Sequence, residues 1–94
     1  MTYVTVAVYA VETSKKDVFI SHSKNMAPLF TKHGALSAVD CWGDDVPDGE
    51  VTSFPMAVKC EPNETVCYSH VIWPDKATHD ANMQKVMQDM QAAG

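Results

Sequence analysis

Arginine is missing from this chain altogether. Its seven basic residues, Lys15, Lys16, Lys24, Lys32, Lys59, Lys76 and Lys85, are all lysine, set against twelve carboxylates for a net charge of −5. Arginine supplies the bidentate fork for phosphates and guanine edges. Nucleic-acid affinity rests mainly on neutralising phosphates, so an acidic chain without that fork is not expected to bind nucleic acid. The same balance argues against docking on an anionic membrane surface. Cysteine is scarce: Cys41, Cys60 and Cys67 form neither a Cys-x-x-Cys pair nor a metal-ligand spacing. An odd number of unpaired thiols suits a reducing compartment, and the expected location is the cytoplasm. No apolar run approaches the roughly 20 residues that span a bilayer. The opening residues, Met1 to Val8, lack the basic start of a secretory signal. Internal repeats, low-complexity tracts and cofactor-binding motifs are also absent, so no cofactor is expected. Ninety-four residues make one domain, 1–94, with a modest core, and association is a natural way to bury more surface.

What is present reads as alternating strands and helices. Residues 2–11 are dense in Val and Tyr without Gly or Pro, which predicts a strand. Thr13 and Ser14 offer an N-cap for a helix beginning near Lys15. Phe19, Met26, Leu29 and Phe30 share one broad face of that helix. Pro28 lies inside it and costs roughly 3 kcal/mol, so a kink or break is expected near Asn25. Gly34 is placed to end the helix. Ala35 to Trp42 returns to strand character, followed by a Pro47-Asp48-Gly49 turn. Two further strands, at about 53–60 and 65–73, flank Glu61-Pro62-Asn63-Glu64 as a hairpin, with Pro55 marking an edge or bulge. Pro74 ends the sheet and Asp75 caps a last helix, where Met83, Val86, Met87 and Met90 fall at i, i+3, i+4 and i+7. The expected order is β-α-β-β-β-α. Helices on one face of an antiparallel sheet leave the other face in need of cover, and a second subunit is the expected cover.

Several of these stretches together resemble a known family. They are Ala27-Pro28-Leu29-Phe30-Thr31-Lys32-His33-Gly34-Ala35, Cys41-Trp42-Gly43-Asp44-Asp45-Val46-Pro47-Asp48-Gly49, Val51-Thr52-Ser53-Phe54, Ala57-Val58-Lys59, Trp73-Pro74-Asp75-Lys76 and Asn82-Met83-Gln84-Lys85-Val86-Met87. They resemble the YbaA-like family of domains of unknown function over nearly the whole chain. The resemblance implies an α+β fold: a ferredoxin-like antiparallel sheet with two helices on one face, pairing into a dimeric α/β barrel. Family members usually carry a further closing strand beyond the point where Gly94 falls. They also have Trp and Glu where this chain has His70 and Ile72, and arginines in the last helix. The family has no established catalytic residues to carry over, and a label of RNA recognition attached to some members is at odds with the charge given above.

The candidate chemistry is correspondingly sparse. Asp44, Asp45, Asp48 and Glu50 gather carboxylates that a hard cation would accept, but their spacing is not that of a calcium loop, and a tight turn explains them; no metal site is expected. On the 65–73 strand, alternation sets Val66, Tyr68, His70 and Ile72 on one face and Cys67, Ser69, Val71 and Trp73 on the other. If Tyr68 and His70 line the cleft between sheet and helices, they can handle protons near neutral pH, with Asp40 orienting His70. Trp42 and Trp73, both at strand ends, are candidates for the floor of a small apolar cavity. The expected ligand-binding set is therefore Trp42, Tyr68, His70 and Trp73, with His70, Tyr68 and Asp40 the weak catalytic candidates. His33 is read as a helix C-terminal residue, His22 and His79 as helix residues without ligand-spaced partners, and Cys60 and Cys67 as neighbours across the hairpin. The leading reading is a homodimer that binds a small apolar or aromatic molecule between sheet and helices. The alternative is a cofactor-free monooxygenase- or isomerase-like enzyme of the dimeric α/β-barrel type. No catalytic constellation emerges, so binding is preferred over catalysis.

Overall fold

The computed structural model describes residues 1–93. Three strands, β1 (Tyr3–Glu12), β2 (Ser37–Trp42) and β3 (Glu64–Trp73), form one antiparallel sheet in the order β1-β3-β2. β3 is the centre: it pairs with β1 along its whole length, from Tyr3↔Trp73 to Glu12↔Glu64, and with β2 from Ser37↔Ile72 to Trp42↔Cys67. Helix α1 (Lys16–Lys32) links β1 to β2, a short α2 (Phe54–Ala57) lies between β2 and β3, and α3 (Lys76–Ala93) follows β3. The architecture is α+β, and the strand order is consistent with a ferredoxin-like fold.

The helices end where local chemistry stops them. At the end of α1 the Gly34 amide donates to Thr31 O and the Ala35 amide to Phe30 O, the paired bonds of a Schellman cap. Gly34 takes φ +105°, which a side chain rarely adopts. Asp75 caps α3, its Oδ1 accepting the Thr78 amide at 2.7 Å. The Thr78 side chain first, and this amide second, favour the ionised carboxyl and hold its pKa below the ordinary value. Gly43 continues the β2 edge by donating its amide to Val66 O at 2.9 Å, and a Cβ there would collide with that same carbonyl.

Four expectations are corrected. The strand expected at 53–60 is absent, and α2 stands there: Ser53 Oγ accepts the Met56 amide and Pro55 sits in the first turn, where its missing donor has no helical partner to lose. With that strand gone, Cys60 is not across a hairpin from Cys67, whose cross-strand neighbours are Tyr9 and Trp42. Helix α1 runs unbroken through Pro28, because Leu29 and Phe30 beside it pack on the core. Thr13 and Ser14 do not cap α1. They belong to a 3-10 turn, Thr13–Lys15, and Thr13 is held to the sheet by its amide on Asn63 O and its hydroxyl on that of Thr65, both at 2.8 Å.

The core lies between the helices and one end of the sheet. Trp73, Val86 and Ala35 are buried, with Tyr3, Leu29, Phe30, Val71, Met83 and Met90 packed against them. Among the described residues the Trp73 indole N–H has no hydrogen-bond partner, and its ring meets His79 edge-on at 5.5 Å. Of the predicted α3 stripe, Val86 is fully buried while Met87 turns outward. Asp89 of α3 ties the helices together by bonding His33 Nε2 at 2.7 Å and Lys32 Nζ at 3.2 Å.

Candidate functional site

In a strand, neighbouring residues point to opposite faces, so the registers sort the sheet into two sets. Tyr9, Ser69, Asp40 and Trp42 fall in the set that meets helix α1: Ser23 of α1 bonds Asp40, and Phe19 of α1 packs on both Tyr9 and Trp42. Val4, Val6, Val39, Tyr68 and His70 fall in the other set. On that face the Tyr68 ring stacks on Phe54 at 6.5 Å and meets His70 at 5.5 Å.

Between α1, α3 and the sheet lies a cavity of about 510 Å³. Phe19, Met26 and Phe30 wall it from α1, Met83 and Met90 from α3, and Ala7, Tyr9 and Val11 from β1. A polar chain crosses its floor. Asp40 Oδ1 accepts from Ser69 Oγ at 2.5 Å, and Oδ2 accepts from Ser23 Oγ at 2.6 Å. The Tyr9 hydroxyl lies 2.5 Å from Ser69 Oγ. A serine hydroxyl has one proton, and that of Ser69 goes to the carboxylate, so Tyr9 is the donor of this bond. Tyr9 to Ser69 to Asp40 is thus a one-way relay ending on a carboxylate whose position is fixed from three elements, β2, β3 and α1. Burial pushes the Tyr9 phenol above its ordinary pKa; the Ser69 bond opposes this and the nearby Asp40 charge reinforces it. Tyr9 therefore keeps its proton at neutral pH.

This geometry separates the residues singled out from the sequence. The rings of Tyr68 and His70 both lie on the face opposite α1; His70 still borders the cavity from its place in β3, and Tyr68 is not among its lining residues. Asp40 does not orient His70. It stands opposite Ser69 in the register, and His70 stands opposite Val39, so the two side chains leave the sheet on different sides. Trp42 and Trp73 cannot floor one cavity. Both end strands, but the strands are antiparallel, and six residues of β3 put them about 20 Å apart. Trp73 fills the core. Trp42 extends the aromatic wall through Phe19, at 5.3 Å, and with Tyr68 borders a smaller recess of about 280 Å³ at the sheet end. His22 faces the large cavity, and His79 packs between Tyr3, Trp73 and Asp80. The acidic loop adopts turn conformations, with Asp45 at φ 54° and Gly49 at φ 68°. Cys41, Cys60 and Cys67 are free thiols.

Tyr9, Ser23 and Ser69 were not singled out from the sequence. A signal existed for Ser23, which sits at i+4 from Phe19 and i−3 from Met26, a hydroxyl on an otherwise apolar helical stripe.

The fold and cavity define a small α+β protein with one carboxylate set in an apolar cleft between sheet and helices. The comparisons give it a family. The family described as "Protein of unknown function (DUF1428)" matches residues 2–94. The chain is also 49% identical over 89 residues to "Uncharacterized protein YbaA" of Escherichia coli K12, with 95% of this chain and 76% of the relative covered. The YbaA proteins of Escherichia coli O157:H7 and Shigella flexneri match equally, at 49% over 89 residues. The chain belongs to this DUF1428 family, as the resemblance in its sequence implied.

Proposed function

We propose that this protein is a cytoplasmic homodimer that holds a small apolar or aromatic molecule between its sheet and helices. The observation that carries the reading is the cavity of about 510 Å³, which has the size, apolar wall and few converging polar groups of a small-molecule site. The free thiols and acidic, arginine-free surface fit a reducing compartment and no nucleic-acid partner.

The dimer is supported by the surface this chain leaves uncovered. It exposes 6,394 Å², whereas a folded monomer of 10.3 kDa exposes roughly 5,400 Å². The excess, about 1,000 Å², is close to the roughly 800 Å² each partner buries in a standard interface. Its shape agrees: the molecule is a slab of 39 × 31 × 17 Å, one sheet with its long helices, α1 and α3, on one side and only the short α2 reaching the other. The uncovered side carries Val4, Val6 and Val39, exposed at 47, 57 and 40%. Of the strand residues on that side, Glu12 and Glu64, opposite each other at one strand end, are the carboxylates. In a two-fold contact each patch meets a copy of itself, so a strand surface with few fixed charges suits a second copy of this chain.

The cavity reading is tested by methyl NMR during titration with toluene. Met26, Met83 and Met90 line the cavity, while Met1, Met56 and Met87 are exposed elsewhere. Ring-current shifts confined to the first three are expected. Shifts on none, or on all six, overturn it. The alternative, a cofactor-free monooxygenase- or isomerase-like enzyme, is favoured by one feature, the relay from Tyr9 through Ser69 to Asp40. An enzyme returns its ligand chemically altered, and a binding protein returns it unchanged.

A further inference from the structure

The cavity's charge is unbalanced in a way that selects a ligand. Asp40 is a carboxylate on an apolar wall, yet the ion pairs among the described residues join Lys32 and His33 to Asp89, and Lys76 and His79 to Asp80, and none includes Asp40. Its two bonds are to neutral hydroxyls, from Ser23 and Ser69. A carboxylate offers about four acceptor sites, so roughly two remain free for another donor. Among the described residues no lysine borders the cavity; its other ionisable lining residues are Tyr9, His22 and His70, the last with its ring on the opposite face of the sheet. An anionic ligand would meet no fixed positive charge there and would face the Asp40 charge. A cationic ligand would gain a charge-assisted hydrogen bond, and the rings of Phe19, Phe30 and Tyr9 offer π-faces that attract cations.

From this juxtaposition we infer that the cavity takes a small primary amine with an aromatic or aliphatic body, its ammonium on Asp40 and its body among Phe19, Met26 and Met83. The inference rests on the reading that the cavity binds a small molecule, and adds the ligand's charge. Ser23 and Ser69 hold the carboxylate in place, so the ligand does not have to order it. Fixing an anchor before binding is a recognised source of affinity.

The test titrates the full chain with three probes of one body and different charge: phenethylamine, 2-phenylethanol and 3-phenylpropionate. The methyl signals of Met26, Met83 and Met90 report occupancy. Phenethylamine is expected to bind at least about tenfold more tightly than the alcohol, and the carboxylate most weakly, since a hydrogen bond to a charged group is worth a factor of that order. Asp40→Asn keeps the shape and one acceptor oxygen, and is expected to erase the difference between amine and alcohol. Should that variant fail to fold, the ranking on the unaltered protein decides alone. If the alcohol binds as well as the amine, or Asp40→Asn keeps the preference, the amine assignment is wrong while the cavity reading stands. If none of the probes shifts the three methionines, both fall together.

Discussion

The two faces of this sheet are made from the same kind of sequence and end in opposite situations. On the helix side, Cys67 and Trp73 of β3 are fully buried, and even the polar residues there, Ser69, Asp40 and Tyr9, are bonded to one another. On the other side Val4, Val6 and Val39 stand open, and the cover that exists, Phe54 stacked on Tyr68, reaches one end only. An antiparallel sheet with one solvated face normally alternates apolar with polar residues. Here β1 reads Tyr3-Val4-Thr5-Val6-Ala7-Val8-Tyr9 and is apolar on both sides. A strand written for burial on two faces, folded with cover on one, teaches that the fold of a single chain is half of its packing.

This comparison can be broken from its sealed side first. Trp73→Ala removes the largest fully buried side chain and is expected to cost about 3–5 kcal/mol, measured by urea unfolding. A loss below about 1 kcal/mol would mean that the core is not where Trp73 and Val86 place it. A smaller effect belongs to the relay. Tyr9→Phe deletes the hydroxyl that donates to Ser69 and is expected to cost about 1 kcal/mol, with no change in subunit number. A change in subunit number would show that the two faces are not independent.

The smallest effect is electrostatic. The His33 bond first, and the Lys32 bond second, hold the Asp89 carboxyl below its ordinary pKa of 3.8. A lowered carboxyl pKa stabilises the folded state above the unfolded value and loses that contribution as pH falls through the folded value. Asp89→Asn should therefore lower the thermal midpoint at pH 7, and the gap to the unaltered protein should close as pH drops below about 4. A gap that widens with acid would contradict the assigned pair. The group is only half-buried, so the shift should be small and sensitive to salt.

Much of this fold was legible in the sequence, and the failures have physical causes. β1, β3 and the cap at Asp75 follow from local composition, which tertiary contacts here reinforce. The segment 53–60 was misread because Ser53 and Pro55 admit two interpretations: Pro marks a strand edge, and it also starts a helix behind a serine cap. Alternation divided β3 correctly into two sets, but it does not say which set meets the helices. Both sets are apolar, and Tyr68 and His70 carry the more conspicuous chemistry, so the wrong set was chosen for the cleft. Asp40 was noticed for the wrong partner. Its real partners, Ser23 and Ser69, lie 17 residues before it and 29 after it, and no local pattern joins them.

The measurement that bears most directly on the two-faced account is sedimentation equilibrium of the unaltered protein beside Val6→Asp. Val6 lies in edge strand β1 on the uncovered face, exposed at 57%, so an aspartate there leaves the folded chain intact but would be buried unpaired in a two-fold contact through that face. A two-fold contact through this face gives twice the 10.3 kDa chain mass for the unaltered protein and a single chain mass for the variant, with unchanged far-ultraviolet circular dichroism. A single chain mass for both, or a doubled mass for both, would contradict it.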